Sequence, residues 1–268
     1  MNNEHADLNF EERLANEAFW KEVFGPDNVP VKEIKPGSRY RTLPGWFPTR
    51  KNVRGEVRTR EPLMIDLLLH LDVDSDILVV AEFPFKRQIR YRRPDGSIST
   101  KDHIPDVAVL RRDGLVFVID VMPFNVQVGR LDLTSRKAAM RKHYRALGAR
   151  YLLLDETTLR LQPLLSNIKS MWMHRKTNDE PSGMADLRRL LLAASYPTTI
   201  EELMRSMPIN AFISRLSDED GSTGRHVTEC NPVFSAVMQM TMSGELDVDL
   251  TRRLSPRTVV TRRSASHA

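Results

Sequence analysis

Two aspartates in one short stretch, Asp106 and Asp120, are the residues whose type and spacing could do chemistry. They lie between His103 and Pro123, where two apolar runs flank Arg111-Arg112-Asp113-Gly114. That break is a strong short-range hairpin signal. Each run carries one carboxylate: Asp106 opens the first strand and Asp120 sits late in the second. The second run, Leu115 to Met122, is apolar on both faces apart from Asp120, so it reads as a strand covered on both sides. A carboxylate there is costly unless a metal, a cation or water meets it. Carboxylates clustered on a rigid sheet suit a hard, oxygen-seeking cation such as Mg²⁺, which can activate water and hold a phosphate.

Register decides whether the two can cooperate. A two-residue Asp113-Gly114 loop would pair Arg112 with Leu115 and send Asp106 and Asp120 to opposite faces. A three-residue loop, Arg112-Asp113-Gly114 with the glycine left-handed, pairs Arg111 with Leu115. Asp106 then lies across from Asp120 on one face, with side chains roughly 5 Å apart. Met122 shares that face by the strand period of two. The chemical reading requires the three-residue loop.

The elements around this hairpin must hold it. The chain has 268 residues, 41% of them hydrophobic and 28% charged, with a formal net charge of +5. That supports a substantial core and gives only a mild hint of a polyanionic partner. The single Cys230 excludes a disulfide framework and a cysteine-rich zinc site. The polar, acidic start is unlike a secretory signal, and no apolar run approaches the length of a membrane span, about 18 residues, so a cytoplasmic protein with no membrane partner is expected.

In order, Asn9-Phe-Glu-Glu12 resembles a capping box, and Phe10, Leu14, Ala18 and Val23 continue a helical stripe. Residues 25–55 read as loop. Arg39, Arg41, Arg50, Lys51 and Arg54, interleaved with Tyr40, Trp46 and Phe47, make it either a nucleic-acid-contacting arm or a loop whose aromatics pack on the domain. A helix follows from about Thr59 to His70, with Glu61 in its first turn. An acidic turn, Asp72 to Ile77, leads to strands over Leu78–Phe85 and Gln88–Tyr91, then a Pro94-Asp95-Gly96 turn. After Pro123 come a loop, a helix from about Thr134 to Leu147 ending at Gly148, and an apolar strand, Arg150 to Asp155. Strand, helix, strand implies a right-handed crossover with parallel strands. Short helices end near Trp172.

Residues 174–183 are polar, with Pro and Gly, and read as a linker. Beyond it lie a helix over Met184–Ala194, a shorter one over Thr198–Met204 with Thr198-x-x-Glu201 as capping box, and a third from Asn231-Pro232 to about Thr241. Gly244–Leu250 and Ser255–Thr261 look like a small hairpin. Three helices and a terminal hairpin follow winged-helix order.

Arg136, Lys137, Arg141, Lys142 and Arg145 place cations on the helix that follows the carboxylate strand, with Lys137, Arg141 and Arg145 on one face. Such a helix suits DNA contact, although a charge run is commonly just a solvated face.

Pro105-Asp106 followed by Asp120-Val-Met122 resembles the PD-(D/E)xK nuclease signature. Glu61, the Leu71–Ile77 acidic turn, Glu82-Phe83-Pro84, Tyr91 through Gly96 to Pro105-Asp106, Gly148 through Glu156, and Asn167 together resemble the TnsA family. The resemblance covers about residues 52–172, and the segment downstream matches the family's layout more loosely.

The resemblance implies an α/β fold, a restriction-endonuclease-like mixed sheet flanked by helices, followed by a small winged-helix-like domain. Residues 1–51 would form an N-terminal helix and basic arm, 52–173 the nuclease-like domain, 174–183 the linker, and 184–268 the winged-helix-like domain. It further implies a DNA endonuclease subunit of a heteromeric transposase, using Mg²⁺ or Mn²⁺ to cut double-stranded DNA at transposon ends. A partner transposase subunit and an ATPase regulator would act beside it. Carried over, Glu61, Asp106 and Asp120 are the catalytic and metal-holding acids; Glu56 is a poorer candidate for the first.

The chain departs from the pattern at Met122, where the family has Lys. That ammonium stabilises the attacking hydroxide and the growing charge on phosphate, and losing one such group costs about 10²–10³ in rate. Either another cation reaches in, with Lys137 the best candidate and Lys101 the second, or the enzyme is slow. The remaining reading is a degenerate nuclease fold that serves as a DNA-binding or assembly scaffold in transposition.

Overall fold

A computed structural model describes residues 10–34, 43–177, 180, 183–207, 213–217 and 226–263, with the backbone alone for 10–13, 213–217 and 226–229. The chain forms two compact units: Met1–Leu71 with Asp76–Leu159, and Asp72–Ser75 with Arg160–Ala268. The division at Leu159/Arg160 precedes the expected 174–183 linker. His174, at the start of that segment, is buried and bonds Ser235 Oγ at 2.7 Å. No helix of the described residues is long and apolar enough to cross a membrane.

The first unit contains α1 (Phe10–Val23), β1 (Gly45–Pro48), β2 (Glu56–Thr59), α2 (Pro62–Val73), β3 (Ile77–Glu82), β4 (Arg87–Arg92), β5 (Ile98–His103), β6 (Val107–Arg111) and β7 (Val116–Val121). It continues with α3 (Phe124–Val128), α4 (Leu133–Ala146), β8 (Ala149–Leu154) and α5 (Glu156–Leu159). Its centre is a mixed sheet ordered β3-β6-β7-β8, antiparallel except for the parallel β7–β8 pair. α4 is the crossover between that parallel pair, as strand, helix, strand order requires. Gly148, at φ 73°, ends it in the left-handed conformation that a side chain resists. β4–β5 and β1–β2 are separate antiparallel hairpins.

The β6–β7 loop has the three-residue form. Arg111 N–H donates to Leu115 O at 2.9 Å, Gly114 sits at φ 79°, and Val107 pairs with Ile119. The next position along this register sets Asp106 opposite Asp120. The face they share continues through Ala108 and Val118 into a core with Ala81, Ile89, Met140, Tyr144 and Tyr151. α1 closes this core with Trp20 and Val23, and Trp20 Nε1 donates to Leu147 O at 2.6 Å. Of the expected stripe Val23 is buried, whereas Leu14 is half exposed and Ala18 is exposed, and Trp20, outside that stripe, joins Val23 on the buried face.

Two boundaries differ from expectation near the site. β2 occupies residues 56–59 and α2 begins only at Pro62, so Glu61 stands one residue before the helix instead of in its first turn. β1, read from sequence as loop, is a strand whose Phe47 is buried while Trp46 faces solvent. Arg39, Tyr40 and Arg41 lie outside the described residues.

The second unit contains α6 (Leu164–Met173), α7 (Met184–Ala193), β9 (Thr198–Thr199), α8 (Ile200–Ser206), β10 (Ile213–Ser217), β11 (His226–Cys230), α9 (Pro232–Met242), β12 (Leu246–Val248) and β13 (Val259–Arg262). α9 is its buried centre, packed against α7 and α8. β13 pairs with both β12 and β9, giving a three-stranded sheet. α8 is capped by Thr199 with Glu202, one residue later than the expected Thr198/Glu201 box. The β10–β11 hairpin between α8 and α9 is not signalled by the sequence pattern. Asn167 is the second unit's polar pin: its amide donates to Leu250 O (2.8 Å) and Arg252 O (2.7 Å) and accepts from Leu254 N–H (3.1 Å).

Candidate functional site

The hairpin register builds the site directly. Asp106 N–H donates to Asp120 Oδ1 at 3.1 Å, and Val121 N–H donates to Asp106 Oδ2 at 2.8 Å. The carboxylates are therefore tied to each other's strand rather than merely placed side by side. Asp106 is buried, and Asp120 is nearly so.

Arg60 supplies the counter-charge to Asp106. Its Nε meets Oδ1 at 2.6 Å and its Nη2 meets Oδ2 at 2.7 Å, the bidentate fork that a guanidinium and a carboxylate make best. Nη2 also donates to Val121 O at 2.7 Å, and Nη1 pairs with Glu61. Arg60 lies in the two-residue step between β2 and α2, which aims it across the end of the central sheet. Burial opposes its charge, yet its pKa is raised, because the bonds and charge of Asp106, with Glu61 and Asp120, outweigh that penalty. Glu61 shows the opposite balance. Burial pushes its carboxyl above the usual range, with the neighbouring Asp106 charge adding and the cations only partly offsetting.

Asp120 has partners of its own. His103 Nε2 lies 2.7 Å from Oδ2, and Tyr151 donates its hydroxyl to the same oxygen at 2.6 Å. An ionised carboxylate only accepts, so Nε2 is the donor. His103 Nδ1 is 2.7 Å from the Tyr144 hydroxyl. The Tyr144 and Tyr151 rings stack 5.8 Å apart with His103 edge-on to both. Burial and the Asp120 charge push both phenols up, keeping them donors. Burial alone would raise Asp120, but the bonds and charge of His103, with Tyr151 and the Asp106 N–H, hold it below the usual carboxylate range.

A second cation, Lys32, approaches from the loop after α1. Val31 N–H donates to Phe83 O at 2.9 Å and Phe83 N–H donates to Asp106 O at 3.1 Å, so this loop is laid beside the carboxylate strand. Phe83 adopts φ 43°, uncommon for a bulky residue, as the chain leaves β3. Lys32 Nζ stands 4.9 Å from its ring centroid. Burial lowers the Lys32 pKa and Arg60 adds to that, while Asp106, Asp120 and Glu61 pull the other way.

Met122 extends the same face of β7. Its N–H donates to Leu154 O at 2.9 Å and its carbonyl accepts from Gln127 Nε2 at 2.9 Å, which fixes the backbone without providing a charge.

The expected residues therefore divide. Asp106 and Asp120 are brought together, and Glu61 reaches the cluster through Arg60. Glu56 opens β2 and is exposed. Lys137, the expected substitute cation, makes no ion pair or hydrogen bond with either aspartate, and neither does the exposed Lys101. Among the described residues the cations at the pair are Arg60 and Lys32. The expected metal set of Glu61, Asp106 and Asp120 does not fit a divalent ion as arranged, because a guanidinium holds Asp106 and faces Glu61. Among the described residues no group of three or more His, Cys, Asp or Glu is placed to hold a metal.

Arg60, Lys32, His103, Tyr144 and Tyr151 were not among the sequence candidates. His103 opens the Pro105-Asp106 stretch and Arg60 adjoins Glu61, so adjacency was the one available signal. Nothing local marks Lys32, since its place depends on the backbone bond of Val31 to Phe83.

Cations also line the outer surface. Arg141, Lys142 and Arg145 of α4 are exposed opposite the buried Met140 and Tyr144. Arg90 and Arg92 are exposed on β4, which packs against α4 while Ile89 and Tyr91 point inward.

No protein-family model matches this chain, and no curated protein matches it.

Proposed function

We propose that this chain is a nuclease-like subunit that binds and positions double-stranded DNA within a heteromeric transposition complex, and does not cut it. The observation that carries the reading is the chemistry of the shared strand face. Asp106 and Asp120 have the opposed placement of a phosphoryl-hydrolysing pair, yet protein donors already engage all four of their oxygens. Met122 stands where an ammonium would be needed. The mixed sheet with a crossover helix after its second carboxylate is consistent with a restriction-endonuclease-like fold. α7, α8 and α9 with the β12-β13-β9 sheet are consistent with a winged-helix domain. The exposed arginines of α4 and β4 suit a phosphate backbone. A transposase and an ATPase regulator are the partners this reading implies, in a cytoplasmic setting.

The test uses the full chain, with and without the transposase of its own element, on transposon-end DNA in Mg²⁺. The expected result is DNA retention, read by fluorescence anisotropy, with nicking no greater than that of Asp106→Asn. Nicking by the wild type that Asp106→Asn abolishes would overturn the reading.

One observation favours a second reading, a Mg²⁺-dependent endonuclease that cuts at transposon ends. Lys32, held against Phe83 beside the carboxylates, would be the ammonium missing at position 122. Nicking abolished in both Asp106→Asn and Lys32→Met would support it.

A further inference from the structure

The donors around Arg60 are the kind a hard metal ion selects. Asp106 presents a carboxylate, Glu61 presents a second, and Val121 presents a backbone carbonyl. All three face one guanidinium. We infer that the Arg60 guanidinium occupies the place of a divalent cation, so that this carboxylate centre is neutralised by the chain itself and takes no divalent ion. The inference rests on the non-cutting reading and deepens it, by saying what closed the site.

The physical argument is one of permanence. An arginine is charged at every accessible pH, and its planar fork matches a carboxylate edge through two parallel bonds. Here those bonds are 2.6 and 2.7 Å, and a third, to Val121 O, is 2.7 Å. The guanidinium is tethered in the short link between β2 and α2, so it is present whenever the sheet is folded. An incoming ion would have to strip its own water, displace the fork and take the part-buried guanidinium from its carboxylates. Asp120 offers no alternative foothold, since His103, Tyr151 and the Asp106 N–H already share its carboxylate.

The experiment is a Mn²⁺ titration of the full-length protein, followed by electron paramagnetic resonance and by thermal melting. Wild type should show no stoichiometric Mn²⁺ and no change in Tm. Arg60→Met should lose about 5–10 °C, since it strands two carboxylates. Mn²⁺ should then bind this variant and restore part of the loss. If Arg60→Met fails to fold, Arg60→Met with Asp106→Asn and Glu61→Gln should recover the fold, because both stranded charges are gone; failure to recover overturns the inference. So does an Arg60→Met protein that is as stable as wild type, or one that is destabilised but indifferent to Mn²⁺. One equivalent of Mn²⁺ on the wild type, absent in Asp106→Asn, also overturns it. DNA nicking measured on the same samples separates the two proposals. Mn²⁺ binding without nicking defeats only this inference, whereas Asp106-dependent nicking defeats the non-cutting reading.

Discussion

Asp106 is bonded to Asp120 and to its neighbour across the β6–β7 pair: the Asp106 N–H donates to Asp120 Oδ1 at 3.1 Å, while Asp106 Oδ2 accepts the N–H of Val121 at 2.8 Å. The ladder at this end of the hairpin is thus continued by side chains. Two buried negative charges become part of the sheet's own bonding, and their remaining capacity is met by Arg60 on one side and by His103 and Tyr151 on the other. A pair this heavily committed is a structural element as much as a chemical one.

Asp120→Ala removes the acceptor for His103, Tyr151 and the Asp106 N–H together. Leaving such donors buried and unpaired costs about 3–5 kcal/mol, which urea denaturation of the variant will read. The pH dependence follows from the depressed Asp120 pKa. The folded form binds its proton less readily than the unfolded chain, whose ordinary value is 3.8. The stabilisation is therefore complete above that value and is lost as pH falls below it through the lower folded pKa. The alanine variant should lack this acid-side loss.

Glu61 carries the opposite sign. Burial raises its carboxyl above the ordinary 4.5, so the folded state holds the proton more tightly than the unfolded one. The charged form is then a cost to folding above the folded pKa, and that cost vanishes below the unfolded value. Glu61→Gln should be more stable than wild type at neutral pH, with the difference closing as pH falls through the raised folded pKa toward 4.5. Paired thermal melts across that range check it. A variant less stable at neutral pH would mean that the Arg60 ion pair outweighs the desolvation.

Asn167→Ala deletes two donors and one acceptor that hold the chain at Leu250, Arg252 and Leu254. Three exchanged bonds put the loss at about 2–3 kcal/mol. Hydrogen exchange should show it in the second unit, with the amides of β6 and β7 unchanged.

Charge reversal on the outer face of α4, Arg141→Glu with Arg145→Glu, tests the DNA reading where folding is not at stake, because both side chains are exposed. DNA affinity should fall by a similar factor for unrelated sequences. The salt dependence of log K should flatten by about one for each phosphate no longer neutralised. Unchanged affinity would move the DNA-contacting surface elsewhere.

What the sequence determined was local and periodic. Gly114 after Arg112-Asp113 demands a left-handed turn residue, which marks the hairpin, while the loop length that sets Asp106 opposite Asp120 is decided in the folded sheet. Strand, helix, strand from Val116 to Leu154 demands a parallel pair. Met122, two residues after Asp120, must share its face. Each follows from backbone geometry over a few residues, which short-range composition records. The β1 strand, the β10–β11 hairpin and the place of Trp20 on the buried face of α1 were not legible in this way, because their patterns are short or are carried by one or two aromatic residues. The identity of the cation at the carboxylates was decided only by tertiary structure. Arg60 precedes Asp106 by 46 positions, and Lys32 is placed by the backbone bond of its neighbour Val31 to Phe83. Nothing in the chain's composition distinguishes either from the other Lys and Arg among its 40. A guanidinium reaches a carboxylate through space, and only the closing of β2, α2 and the central sheet around one another sets that distance.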